Sequence, residues 1–418
     1  MEIAENNRME KNIKNTENIR TMTIMMFFII LIYNMGHPAT PGLIELRRLP
    51  KSISGVFLAA MSLTMFLSSP YLGAIADQIG KRKVFVFLPL GYGLSQVMFA
   101  LSGSLPMMIL SRLFSGIFAG ATYSVAYGYV SDISELNKKT SNIAKISSTS
   151  IIGGAIGGKI GGQVALLDTT FPFILQLILA LIITVLLLLF LKNTEEENQN
   201  IGSKKISDLK GLNPLSTFTY IKELDFKSKF FVLIIFISGI GIFSYNSSII
   251  YFLKFYKNVS SNTIGTFTMF SSLLAFFGTS LLLKILVKRY KELSLYMMFV
   301  GLGIIIMIFA IIILQRNLIP YILFSIYTMS YEIVRTLGNS ILAYRYKKDQ
   351  GKILGIATGM GSLGMAIGSL ISGYLLVINS YFPFLVNIII MSLVLVLLLY
   401  NNFRMKKWNI KIKRLWLY

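Results

Sequence analysis

Apolar runs of helix length follow one another along almost the whole chain, with only short polar interruptions between them. They centre on residues 21–41, 52–75, 84–104, 106–130, 146–167, 171–191, 229–252, 262–285, 294–314, 317–341, 353–377 and 381–402. Roughly 20 apolar residues are enough to cross the hydrocarbon core of a bilayer as α-helix. The pattern therefore predicts about twelve membrane spans, all helical, because an unpaired backbone cannot face lipid. Composition agrees: of 418 residues, 54% are hydrophobic and only 14% charged, with a mean hydropathy of +0.67. That balance is too apolar for a water-soluble protein of this length.

The net charge of +22 raises the question of a nucleic-acid partner. Such a surface needs its cations gathered on one soluble face, whereas here they sit in short segments between spans, so no nucleic acid is expected. Topology explains them better. With a cytoplasmic N-terminus and alternating spans, about 31 of the 40 Lys and Arg fall inside, about 6 outside and about 3 within spans. This predicts a multi-pass cell-membrane protein with both termini in the cytoplasm. The first apolar run is too long for a signal-peptide core and is expected to be a retained span. Cysteine is absent, which excludes disulfides, thiolate chemistry and Cys-based metal sites. Neither a metal site nor a cofactor is expected.

The longest polar interval, 192–228, reads as a cytoplasmic linker between two sets of six spans, 21–191 and 229–402, flanked by a polar segment at 1–20 and a basic tail at 403–418. The two halves echo one another. Gly153, Gly157, Gly158, Gly161 and Gly162 in the fifth span match Gly364, Gly368, Ser369, Ser372 and Gly373 in the eleventh, at a constant offset of 211 residues. Small residues four apart let helices approach closely in lipid, and repeated halves are common in secondary transporters. The tail interleaves Lys and Arg with Trp408, Trp416 and Tyr418, which suits an anionic leaflet or simply solubilises the end.

Between the second and third spans lies GAIADQIGKRK, residues 73–83. Positive-inside charge would explain Lys81, Arg82 and Lys83, but it does not require Asp77, Gly73 or Gly80. The spacing resembles the loop signature of the major facilitator superfamily. Arg112, Ser115, Gly116 and Gly120 resemble that family's R-x-x-Q-G-x-G pattern, with serine in place of glutamine and the second glycine displaced. Gly153 to Gly162 resemble the G-x-x-x-G-P-x-x-G-G motif of its proton-driven exporters, with Gly158 in place of proline. In the second half the loop signature has decayed to LLLKILVKRYKE, with Lys284 at the aspartate position.

The resemblance implies two pseudo-symmetric six-helix bundles that rock about a central cavity, and a chain that works as a monomer. It also implies a switch role for the loop, in which Asp77 meets the N-terminal dipole of the eleventh span. An Arg82–Asp132 pair is expected to help hold the cytoplasmic side shut when the cavity faces outward.

Ionisable groups inside spans are costly and mark function unless they are paired or hydrated. Arg112, Lys159, Glu332 and Arg335 are such groups, with His37 beside Pro38 as a fifth. Glu332 is the carboxylate placed deep in a span, about halfway along the tenth. A desolvated carboxyl takes up protons more readily than a hydrated one, as proton coupling needs. Arg335, one turn along the same face, allows a plain ion pair instead, and the two readings are compatible. Lys159, expected near mid-span, suggests attraction for an anionic group or a partner for a carboxylate. Arg112, near the outer end of the fourth span, suits binding or packing. His37 lies in the broken-helix sequence NMGHPATPG and offers either titration or a hydrogen bond to a freed carbonyl. Asn34, Tyr123, Tyr127, Tyr245 and Asn246 are candidates to line a cavity for amphipathic molecules.

Two lookalikes fail. GGAIGGKI, residues 153–160, nearly spells a phosphate-binding loop, but Ile160 stands where Ser or Thr is needed. GMGSLG, residues 359–364, fits G-x-G-x-x-G but falls inside an apolar span rather than between strand and helix. The expected function is proton-coupled efflux of small organic molecules, with transport of an anionic or metal-chelating metabolite as the alternative. A membrane enzyme would gather acids, histidines or metal ligands at one face, and no such cluster appears. A non-transporting sensor is disfavoured by the intact Asp77 loop.

Overall fold

A computed structural model describes residues 2–135, 138–193, 220–314, 319–345 and 350–415. Most of the expected linker, 194–219, and the tail residues Trp416 and Tyr418 lie outside the described residues. Every regular element among the described residues is helical. In the first half, α1 spans Glu2–Met35, α2 Ile53–Ile79, α3 Lys81–Leu101, α4 Leu105–Ile133, α5 Lys139–Val164 and α6 Phe171–Phe190, with a short helix at Thr40–Leu46. In the second half, α7 spans Phe226–Phe255, α8 Ser261–Leu286, α9 Glu292–Ile312, α10 Ile319–Arg345, α11 Gln350–Ile378 and α12 Phe382–Leu415. A π turn, Gly278–Leu282, interrupts α8.

Among the described residues, nine helices are long and apolar enough to cross a membrane, or ten if α2, bent by 40° at Pro70, counts as one span. The two that fall short, α5 and α10, are the helices that carry Lys159 and the Glu332–Arg335 pair. Their polarity is what puts them below the threshold. α1 starts well before the first apolar run, because residues 2–20 hold no Gly or Pro to stop a helix.

The duplication expected from the glycine offset extends to the packing. In the first half α1 packs on α5 and α6, α2 on α4, α3 on α4, and α3 on α6. In the second half α7 packs on α11 and α12, α8 on α10, α9 on α10, and α9 on α12, the same five pairings shifted by six helices. The halves meet through an equally symmetric pair of contacts, α2 on α11 and α5 on α8.

Each glycine helix works on two faces. Gly153, Gly157 and Gly161 lie against the α1 backbone at Phe27, Leu31 and Met35, as Gly364 and Gly368 lie against α7 at Phe236 and Ile240. The other face crosses between halves: Gly158 and Gly162 lie against Thr268 and Gly265 of α8, and Gly373 against Gly55 of α2. A Cβ on Gly373 would stand 2.6 Å from the Gly55 Cα, so this crossing exists only because both positions lack side chains.

One end of the molecule carries Gly80, residues 134–135, 138, 191–193, 220–225 and 287–291; it is the basic end. The opposite end carries residues 47–52, 102–104, 165–170, 256–260 and 379–381. The seams through Gly55–Gly373 and Gly162–Gly265 lie toward the opposite end. Apolar packing follows the same division. One buried cluster joins the second half to Leu43, Phe57, Phe99 and Phe173 of the first half. A second, with Phe85, Tyr129, Val130 and Leu187, is confined to the first half toward the basic end.

Candidate functional site

Glu332 and Arg335 sit on consecutive turns near the middle of α10, where Arg335 Nη2 lies 2.7 Å from Glu332 Oε2. Their side chains are unequally placed: Glu332 is 20% exposed and Arg335 57%. Tyr123 of α4, in the other half and 36% exposed, lies within electrostatic range of both charges, and Tyr127 within range of Arg335. Exposed groups on different halves that feel one another face a common gap. The two tyrosine rings lie 5.6 Å apart at 51°, and the Tyr127 hydroxyl pairs with Ser147 Oγ of α5 at 2.7 Å. The gap therefore has an aromatic wall on the first half and an ion pair on the second.

The other cavity candidates are placed differently. Tyr245 is fully buried among Phe324, Tyr327 and Phe384, and its hydroxyl donates to the Phe324 carbonyl at 3.1 Å. Asn34 is partly exposed and donates to Ile30 O at 2.8 Å, within its own helix. Asn246 is partly exposed on α7. Arg112 is 6% exposed inside the first half, with Nη1 donating to Gln96 Oε1 at 3.0 Å, Nη2 donating to Thr40 Oγ1 at 3.4 Å, and the guanidinium 3.5 Å from the centre of the Phe99 ring. Stacking on an aromatic face and two neutral acceptors hold that cation where sequence gave no partner. His37, just past α1, lies within electrostatic range of Arg112.

Lys159 is not at mid-helix. α5 begins at Lys139, ahead of the apolar run, so Lys159 falls five residues from its other end. Its Nζ donates to Asn262 Oδ1 and Thr266 Oγ1 of α8, both at 2.7 Å, which makes it a contact across the halves. Two further contacts join the halves at the opposite end. Lys254 Nζ lies 3.3 Å from Glu45 Oε2, and Lys51 Nζ stands 5.2 and 5.0 Å from the ring centres of Phe255 and Tyr256. Sequence reading missed Glu45, Lys51 and Lys254. The available signal was scarcity: Lys51 and Lys254 are among the few cations on the cation-poor end.

At the basic end, Gly80 has φ 108°, a left-handed value that favours glycine, and it turns the chain from α2 into α3 without a spacer. Lys81 is drawn between two carboxylates, 2.7 Å from Asp77 and 2.6 Å from Asp132. Its stem passes over Gly128, where a Cβ would come within 2.7 Å. Lys81 thus takes the place on Asp132 expected for Arg82. Arg82 turns instead to the end of α6, donating to the carbonyls of Leu188, at 2.9 Å, and Leu191. A guanidinium has the reach and the donors to cap a helix C-terminus in this way. Asp77 remains 62% exposed, and Lys83 is exposed. Gly73 lies in ordinary contact distance of Ser124.

A gap between duplicated six-helix halves, glycine-packed seams between them and a charged loop at one end are features of a carrier. The comparisons agree. The family model "Major Facilitator Superfamily" matches residues 22–349. Multidrug resistance protein 2 of Bacillus subtilis is 23% identical over 386 residues, covering 90% of this chain and 93% of that protein. Quinolone resistance protein NorA of Staphylococcus aureus is 30% identical over 135 residues, 31% of this chain and 35% of NorA. Among solved structures, a D-xylose–proton symporter superposes with a TM-score of 0.71 at 15% identity, covering 92% of this chain and 97% of that one, a likeness of fold. With its family pattern matched over most of its length and the fold repeated in its own packing, the chain belongs to the major facilitator superfamily, a multi-pass membrane transporter and not an enzyme.

Proposed function

We propose that this transporter exports small organic molecules in exchange for protons, with Glu332 as the group that cargo and proton share. The observation that carries this reading is the position of Glu332, a carboxylate on the wall of the gap between the halves, opposite Tyr123. A proton and a cargo that compete for one carboxylate are bound alternately, which is what exchange requires. Similarity to a multidrug resistance protein over most of the chain supports the direction. The alternative of an anionic cargo loses two of its supports, because Lys159 is engaged by Asn262 and Thr266 and Arg112 by Gln96 and Thr40. With the basic end in the cytoplasm, the seam contacts close the outer side and the gap opens inward. Asp77, paired with Lys81 and 62% exposed here, engages the start of α11 when the inner side closes.

The test is gradient-driven uptake of a dye cargo into proteoliposomes, comparing the native chain with Glu332→Gln. The variant is expected to lose accumulation against a gradient while still letting cargo equilibrate downhill. Full gradient-driven accumulation by the variant would remove Glu332 from the coupling role.

A further inference from the structure

We propose that Arg335 is a tethered stand-in for the cargo: in the unloaded carrier its guanidinium occupies the place on Glu332 that an organic cation takes during transport. The inference rests on the exchange reading above and gives that cargo its charge. Of the two partners, Glu332 is the more enclosed and Arg335 the more exposed, so the carboxylate is the fixed half of the pair and the cation the movable one. The contact, Nη2 to Oε2 at 2.7 Å, joins neighbours on consecutive turns of one helix. An ion pair with an accessible partner is weak and exchangeable.

What surrounds the pair favours a cation in that place. With Arg335 swung aside, the gap presents Glu332 from α10 and the tilted rings of Tyr123 and Tyr127 from α4. A carboxylate facing aromatic rings attracts an organic cation, and the rings add apolar area for its substituents. The other cations expected inside spans do not offset this, since Lys159 is bonded across the α5–α8 seam and Arg112 is stacked on Phe99 inside the first half. Arg335 therefore sets a threshold. A cargo cation must outcompete a cation that is always present, so weakly binding molecules are turned away.

The probe is tetraphenylphosphonium, with tetraphenylborate as its anionic counterpart of the same shape, titrated onto the purified full chain in nanodiscs. Removing the internal competitor in Arg335→Gln is expected to tighten tetraphenylphosphonium binding by about three- to tenfold, the scale on which an accessible ion pair competes. In the Glu332→Gln background the same substitution is expected to give no gain, which a merely structural role of Arg335 would not produce. Equal or weaker tetraphenylphosphonium binding by a monodisperse Arg335→Gln protein overturns the proposal. So does tetraphenylborate binding that is lost in the variant, because Arg335 would then be a receptor for anions. If Glu332→Gln kept full gradient-driven accumulation while Arg335→Gln still tightened binding, the coupling role would fail and the stand-in role would survive.

Discussion

Lys159→Met should loosen the contact between the halves at the opposite end. Methionine keeps the length and apolar stem of lysine but removes the ammonium that donates to Asn262 Oδ1 and Thr266 Oγ1. Hydrogen bonds to a charged group contribute about 1.5–3 kcal/mol net. Lys159 is only partly buried, so water screens the contact and the lower end of that range applies. The loss corresponds to a shift of roughly 10-fold in the ratio of closed to open seam.

The chain lacks cysteine, so a single Ser369→Cys substitution supplies a reporter with no background. Ser369 is 1% exposed, and its carbonyl lies against Gly55 across the other seam. Labelling by a membrane-impermeant maleimide should accelerate in the Lys159→Met background. Removing the acceptors instead, by Asn262→Ala with Thr266→Val, should accelerate it further, because the ammonium is then left at the seam unpaired. Unchanged labelling in both backgrounds would refute the assignment of Lys159 to the seam. Faster labelling with methionine than with the acceptor pair removed would refute the energetic argument, since the unpaired ammonium would then cost less than its absence.

Gly373→Val should abolish transport and leave Ser369→Cys open to the maleimide, because a Cβ at 373 stands 2.6 Å from the Gly55 Cα and the seam cannot close around a branched side chain; normal transport by that variant would show that the crossing is dispensable. Asp77→Asn should abolish exchange while the protein stays folded and inserted, measured as transport beside size-exclusion behaviour. Normal exchange by the asparagine variant would remove the loop from the switching role.

How far sequence reaches depends on which physical constraint writes the signal. The five glycine positions of α5 could be matched to α11 at sight because close backbone approach admits only small residues, and that constraint leaves a spaced pattern. Glu332 and Arg335 were equally legible, since a charge in an apolar run is rare and neighbours one turn apart must meet. Tyr245 shows where such reading stops. Its neighbours in α7 mix polar Ser244, Asn246, Ser247 and Ser248 with apolar Ile242 and Ile249, so no clean period separates a helix face that lines a gap from one that packs on Phe324 and Phe384.

Lys159 and Arg112 fail for a related reason: a buried cation can be satisfied by neutral oxygens or a ring brought from far along the chain, as Asn262, Thr266, Gln96 and Phe99 do here. Sequence marks the charge as needing a partner but does not say which kind. Among membrane helices, then, the counting of in-span charges predicts the sign of a cargo only after each cation has been assigned its partner. In this chain that assignment reverses the first impression. Three cations against one carboxylate look like a site for anions, yet two of the three are engaged away from the gap and the third is bound to the carboxylate, which leaves Glu332 as the one fixed charge among the in-span groups facing the gap.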